Sequence, residues 1–228
     1  NGTIDAKADD CYTINVKNGD LTIENGTFYG NVSVVQVEKG KLTINGGKFD
    51  LHQKWEGKNT YLINCIDDAF VDKTAEVAIY GGEFVDFDPN VSPEKKIDGK
   101  TPSFAAPGVG ITKNENNTFT AQADMAAQIV DADGSSVKAY EELSAAVTAA
   151  DNQTVKLLQN ADITAQGLTI ATGKTVTLDL NGYTIEAANT NKGNIKVCGK
   201  LTLMDSTDTK KDGTGTGKIT TKTAYASG

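Results

Sequence analysis

The sequence predicts an all-β chain wound as a β-solenoid. Three observations carry that expectation. Residues 14–30, INVKNGDLTIENGTFYG, return as residues 35–51, VQVEKGKLTINGGKFDL, and self-similarity at a short fixed period marks a stacked array. Within each copy, apolar residues alternate with polar ones, the period of a strand with one buried face. The composition, 23 Gly against 4 Pro with abundant Thr and Asn, suits short strands joined by tight turns.

The elements follow in chain order. At an offset of 21, Ile14 matches Val35, Val16 matches Val37, Leu21 matches Leu42, Ile23 matches Ile44 and Phe28 matches Phe49. Asn25-Gly26 and Gly46-Gly47 supply the positive φ of a sharp corner. Phe28 and Phe49 then turn back inside. A third copy keeps both halves around a seven-residue insertion: Ile63 and Cys65 match Val35 and Val37, and VAIYGGEF (77–84) matches LTINGGKF (42–49). Coils stacked about 4.8 Å apart would build two internal ladders, Ile23–Ile44–Ile79 and Phe28–Phe49–Phe84. The opening NGTI matches NGTF at 25–28, so the chain is expected to begin inside a coil.

Further along, VKAYEELSAAVTAA (137–150) reads as one short α-helix. Ser135 or Ser136 would cap it, and Tyr140, Leu143 and Val147 would line one face. Its expected place is over the open end of a second coil stack, where an exposed sheet edge must be blunted. Strand-like runs return at 154–158, 168–170, 175–185 and 195–203. GKITTKTA (217–224) lines up with GTIDAKAD (2–9) at an offset of 215. Residues 1–123 are therefore expected to be the C-terminal part of one β-helix module. Residues 124–228 would be the helix-capped N-terminal part of the next, with 105–135 as the junction.

Charge and cysteine narrow the function. The net charge is −8 and all 22 basic residues are Lys, so the chain lacks the footprint that neutralises nucleic-acid phosphates. Cys11, Cys65 and Cys198 form neither a disulfide framework nor a metal motif, and Cys65 falls in an apolar register. No run is long and apolar enough to predict a membrane-spanning helix. No cofactor is expected.

The segment AYEELSAAVTAADNQTVKLLQNADIT, followed by TVTLDLNGYTI and LTIENGTF-like coils, resembles the pectate-lyase-like β-helix modules of large bacterial surface proteins. The resemblance implies a right-handed parallel β-helix at an extracellular or cell-surface location. It also implies a structural or adhesive role as a rigid spacer, with glycans or neighbouring modules as partners and no membrane insertion. Similar solenoids occur in phage fibres, so a fibre or capsid-decoration protein on a virion surface is one alternative. A polysaccharide lyase or glycoside hydrolase is the other. Lyases of this kind typically use an Arg base with Asp-held calcium, and this chain has no Arg.

The residues give catalysis little to work with. Asp67 and Asp68 with His52, the one His, form the available acid–base set, but helper residues are missing and a solvated loop is the expected setting. Asp131-Ala132-Asp133-Gly134 lacks the later ligands of a calcium loop. Asp205, Asp208 and Asp212 read as turn residues. No catalytic or metal site is therefore assigned. For binding, the excursion LHQKWEGKNTY (51–61) holds the one Trp. Trp55, His52 and Tyr61 are the candidate glycan contacts, since aromatic faces beside polar groups suit sugar rings. The outward Thr22–Thr43 row is broken by Ala78 and carries no ice-binding surface.

Overall fold

The computed structural model describes residues 2–54, 61–92, 101–188 and 194–222. The chain divides into two compact units, Asn1–Ala123 and Asp124–Gly228. Both are β-solenoids; the chain holds about seven turns and little helix.

Unit 1 begins with β1 (Thr3–Asp5). Its first coil is β2 (Tyr12–Val16), β3 (Gly19–Ile23) and β4 (Thr27–Gly30); its second is β5 (Ser33–Val37), β6 (Gly40–Ile44) and β7 (Lys48–Leu51). The third holds β8 (Ile63–Cys65), α1 (Asp67–Val71), β9 (Ala75–Ile79) and β10 (Gly82–Val85). Like strands of successive coils pair in parallel, in the orders β2-β5-β8, β3-β6-β9 and β1-β4-β7-β10.

The repeat sets this register: Leu21 pairs with Leu42, Ile23 with Ile44 and Phe28 with Phe49. The third coil keeps it, with Ile44 opposite Ile79 and Phe49 opposite Phe84. The inserted residues leave the wall as α1, so the strands on either side stay in phase. A one-residue slip would turn every inward side chain to water. Inside, Val35, Val37, Leu42, Ile44, Ile63 and Ile79 are fully buried. Phe28, Phe49 and Phe84 stack with centroids 5.1 and 5.0 Å apart and planes within 9° and 7°. Each stacked pair adds about 0.5–1.5 kcal/mol beyond its buried area. The corner beneath this ladder requires glycine. Gly47 has φ 114°, and a Cβ there would sit 3.1 Å from the Gly26 carbonyl oxygen and 3.3 Å from the Phe49 ring.

The last coil of unit 1 is closed by non-repeating sequence. β11 (Gly110–Lys113) and β12 (Thr118–Gln122) form a hairpin, and β12 pairs antiparallel with β10, Phe119 opposite Phe84. Asn116 and Asn117 take φ 57° and 55° at its turn, a conformation Asn tolerates. Beside it, Ile79 N–H donates to the Phe104 carbonyl and Ala106 N–H to the Ile79 carbonyl. Phe70, Phe87 and Phe104 gather there, with centroids 5.7 and 6.4 Å apart. Within the 105–135 stretch, 110–113, 118–122 and 127–130 are therefore strand, and β12 covers the β10 edge.

Unit 2 starts with β13 (Ala127–Val130), β14 (Ser136–Tyr140) and α2 (Leu143–Ala149). Its coils follow as β15 (Gln153–Leu157), β16 (Ala161–Asp162) and β17 (Leu168–Ile170); β18 (Thr175–Asp179), β19 (Thr184–Ala187) and β20 (Ile195–Val197); then β21 (Lys200–Met204) and β22 (Lys218–Thr221). The sheets run β14-β13-β15-β18-β21, β16-β19-β22 and β17-β20.

The helix is shorter than the 137–150 expected. Residues 136–140 form β14, which pairs antiparallel with β13, and Ser136 Oγ accepts a 2.8 Å bond from Gln128 Nε2 instead of capping. The N-cap position is Glu142, with no side-chain cap. Strand pairing along β13 overrides local helix propensity here. α2 buries Leu143, Ala146 and Val147 and packs against β13, β14, β15 and β17.

Candidate functional site

The excursion singled out in the sequence is only partly described. Trp55 lies outside the described residues. His52 follows β7 and Tyr61 precedes β8, so they stand at the two ends of that segment. Tyr61 is 48% exposed. His52 is already engaged: Nε2 lies 2.6 Å from Asp5 Oδ1, and its ring stacks on Tyr29 with centroids 5.6 Å apart. Asp5, Tyr29 and Asp50 face each other on β1, β4 and β7, so His52 reaches back across two coils and ties the first strand down. The His52 hydrogen bond, aided by Lys7 at 3.3 Å, holds the Asp5 carboxyl below the usual carboxylate range. Lys54 Nζ bonds Asp86 at 2.8 Å and nears Asp50 at 3.8 Å; the Asp86 bond raises its pKa, aided by Asp50.

Asp67 and Asp68 are exposed in the first turn of α1. His52 takes Asp5 as its partner. Asp133 Oδ1 accepts the Ser135 N–H, and Asp131 Oδ1 a bond from Gln153. No cluster of metal-ligating side chains occurs among the described residues.

A polar network runs along the corners of unit 2, and of its members only Asp205 was singled out in the sequence, as a turn residue. Asn160 Oδ1 accepts the Thr184 N–H of the next coil. Asp179, 4% exposed, accepts the N–H groups of Asn181 and Ser206. Asn181 Nδ2 donates to the Leu157 carbonyl of the preceding coil. Asp205 gathers three segments: Oδ1 accepts from Gly182 N–H at 2.9 Å and from Thr207, and Oδ2 from Gly217 N–H at 2.7 Å. Partial burial pushes the Asp205 carboxyl up, but the Thr207 hydroxyl and these amides outweigh it and hold the group below its usual range. With both oxygens taken by N–H donors, Asp205 acts as a corner brace. The sequence signal was an Asp or Asn at or within three residues of a strand's end, at 160, 179 and 205.

The other feature with binding potential is apolar. Unit 1 carries a continuous strip of inward side chains: Val16–Val37–Cys65, Ile23–Ile44–Ile79 and Phe28–Phe49–Phe84. The outer faces of β3, β6 and β9 carry Asp20, Thr22, Lys41, Thr43 and Glu76, whereas β5 is buried on both faces, Gln36 included. Strands of the β3-β6-β9 sheet thus present an apolar face inward and a polar face outward. The strip is filled, with Phe49 1% exposed.

A family model described as LptA/(LptD N-terminal domain) LPS transport protein matches residues 13–183. No significant match was found among curated proteins or solved structures. The family match corrects the pectate-lyase-like resemblance and what was drawn from it: the adhesive spacer role, the phage-fibre and polysaccharide-cleaving alternatives, and glycans or neighbouring modules as partners with no membrane insertion. The physical reason is that glycine corners and in-register apolar strands are what any parallel solenoid requires, so they identify architecture and not ligand. The match places the chain outside the cytoplasm, and not at a cell-surface adhesin or virion location. No helix among the described residues is long and apolar enough to cross a membrane.

Proposed function

The chain belongs to the LptA/(LptD N-terminal domain) family of LPS transport proteins, and on that premise we propose that it handles lipopolysaccharide in the cell envelope. The carrying observation is the extent of the match, which spans the three coils of unit 1 and reaches β18 in unit 2. The two-faced strands supply the physical rationale. Acyl chains need an apolar surface, each buried CH₂ being worth about 0.8 kcal/mol, while the sugar and phosphate groups must stay in water. The inward ladders of unit 1 offer the first and the outward strand faces the second. Because Phe28, Phe49 and Phe84 fill the interior, loading requires the coil wall to part and the acyl chains to replace ring-to-ring contacts.

Binding of the chain to purified lipopolysaccharide and to the same molecule stripped of its acyl chains tests this reading. Saturable binding is expected for the intact molecule, and binding at least tenfold weaker for the stripped one. Equal binding of both, or of neither, contradicts it.

A further inference from the structure

Independently of lipopolysaccharide handling, we propose that Asn25-Gly26, the corner between β3 and β4, is a site of spontaneous covalent modification. Asn25 converts there to aspartate and isoaspartate, and the conversion loosens the stacking of the first coil on the second. Asparagine is a thermolabile residue, because its carboxamide carbon is open to attack by the main-chain nitrogen that follows it. Among the described residues, Asn-Gly steps stand at 18, 25, 45 and 181. The fold treats them differently.

At Asn25 the reacting groups are already together. The Gly26 N–H donates to Asn25 Oδ1 at 2.8 Å, so the nitrogen lies against the carboxamide it attacks. Asn25 is exposed, so water and base reach it. The corner itself fixes glycine at 26: φ is 141°, and a Cβ would sit 3.0 Å from the Phe28 ring. It therefore keeps in place the residue that hinders the attacking nitrogen least.

The other steps are held. Asn45 Nδ2 donates to Glu24 Oε2 at 2.9 Å. Asn181 Nδ2 donates to the Leu157 carbonyl, while the Gly182 N–H donates to Asp205 Oδ1. Nucleophile and leaving group at 181 are thus each tied elsewhere. Gly19 opens β3 and is paired in register with Gly40.

The step balances with water alone. Gly26 N gives its proton to base and bonds to Asn25 Cγ. The Cγ–Nδ2 bond breaks and ammonia leaves, forming a cyclic imide. Water then opens the imide. Attack at Cγ gives aspartate; attack at the Asn25 main-chain carbonyl gives isoaspartate, whose main chain is longer by a carbon. The Gly26 carbonyl accepts the Lys48 N–H at 2.8 Å, and a Cβ on Gly47 would lie 3.1 Å from the same oxygen. A longer main chain before Gly26 displaces that oxygen, so β4 and β7 part at the corner beside the Phe28–Phe49 stack.

The test incubates the whole folded chain at mildly alkaline pH and follows each step by peptide mass and by separation of isoaspartyl from aspartyl peptides. Conversion at Asn25 should run about tenfold ahead of Asn45 and Asn181, a size that positioning of reacting groups readily supplies. It should also precede Asn18. In the denatured chain the preference should disappear. Amide exchange reads the consequence. The converted chain should lose protection at Lys48 and keep it at Asn45, whose N–H bonds the Ile23 carbonyl. Freshly made Asn25→Asp, which adds the charge without the extra carbon, should keep Lys48 protected. Conversion at Asn25 no faster than at the other steps, or the same preference in the denatured chain, overturns the proposal. So does unchanged Lys48 protection after conversion, or equal loss of it in fresh Asn25→Asp.

Discussion

In unit 1, Ile23 lies under Ile44 and Phe28 under Phe49 at a constant step of 21 residues, and glycine makes the corner. In unit 2, Val155 lies under Leu178, Leu178 under Leu203, and Ile185 under Ile219. The steps there are unequal, and the corners are braced by Asn160, Asp179 and Asp205. The difference teaches that a solenoid wall can be kept in register in two ways. A strict repeat lets backbones nest at glycine corners and aromatic rings stack inside. The extra length of the third coil of unit 1 is carried outside the wall by α1, whereas the corners of unit 2 are themselves irregular and are held by side chains that bond the backbone of the coil above or below. Unit 1 is therefore expected to be sensitive at its core, and unit 2 at its corners.

The largest expected effect is on the aromatic ladder. Phe49→Ala opens a cavity between Phe28 and Phe84 and should destabilise unit 1 by about 3–5 kcal/mol. Hydrogen exchange resolved by unit checks it: loss of protection in β4, β7 and β10 is expected, with β15 and β18 unchanged. Equal loss in both units would dissolve the comparison. Next comes Asp205→Ala, which strips the acceptor from the Gly182, Thr207 and Gly217 amides and should cost unit 2 about 2–3 kcal/mol. Denaturant unfolding followed at unit 2 amides reads it. Gly47→Ala forces a side chain into positive-φ backbone against the Gly26 carbonyl and should cost unit 1 about 1–3 kcal/mol, read in the same way at unit 1 amides.

These sizes also explain how much of the architecture was legible in the sequence. Leu21/Leu42 and Phe28/Phe49 repeat identity and spacing together, and Val77 and Phe84 match them across the insertion, so their register followed directly. The α1 insertion left those matches intact. In unit 2 no fixed period exists, and Asp179 and Asp205 each look like an ordinary turn residue until the strands they join are known. β14 read as helix because VKAYEEL carries good helix formers, and only its pairing with β13 decides otherwise. Of the proposed glycan contacts, His52 kept its place in the excursion, but its tie to Asp5 depends on coil stacking across 47 positions. The ligand class was not legible, because the corner and ladder residues that dominate the sequence serve the wall itself.

Acid gives a smaller, graded contrast. The folded pKa of Asp205 lies below its unfolded value, so its stabilisation is complete above about pH 4 and is lost as the pH falls through the folded value. The glycine corners and Phe ladder of unit 1 do not titrate. Amide exchange at Gly182 and Gly217 should therefore accelerate in acid before exchange at Ile44 and Phe49. The smallest expected effect is His52→Ala, which loosens β1 through Asp5 and should leave the midpoint of unit 1 unfolding nearly unchanged.

The account's central claim, that inward ladders of unit 1 meet the acyl chains of lipopolysaccharide, is tested most directly by site-specific photo-crosslinking. A photoreactive residue replaces Phe49, which faces inward, or Thr43, which faces outward, and each chain is irradiated with lipopolysaccharide. Adducts through the acyl chains at position 49 and none at position 43 are predicted. Adducts confined to position 43, or equal at both, contradict the claim.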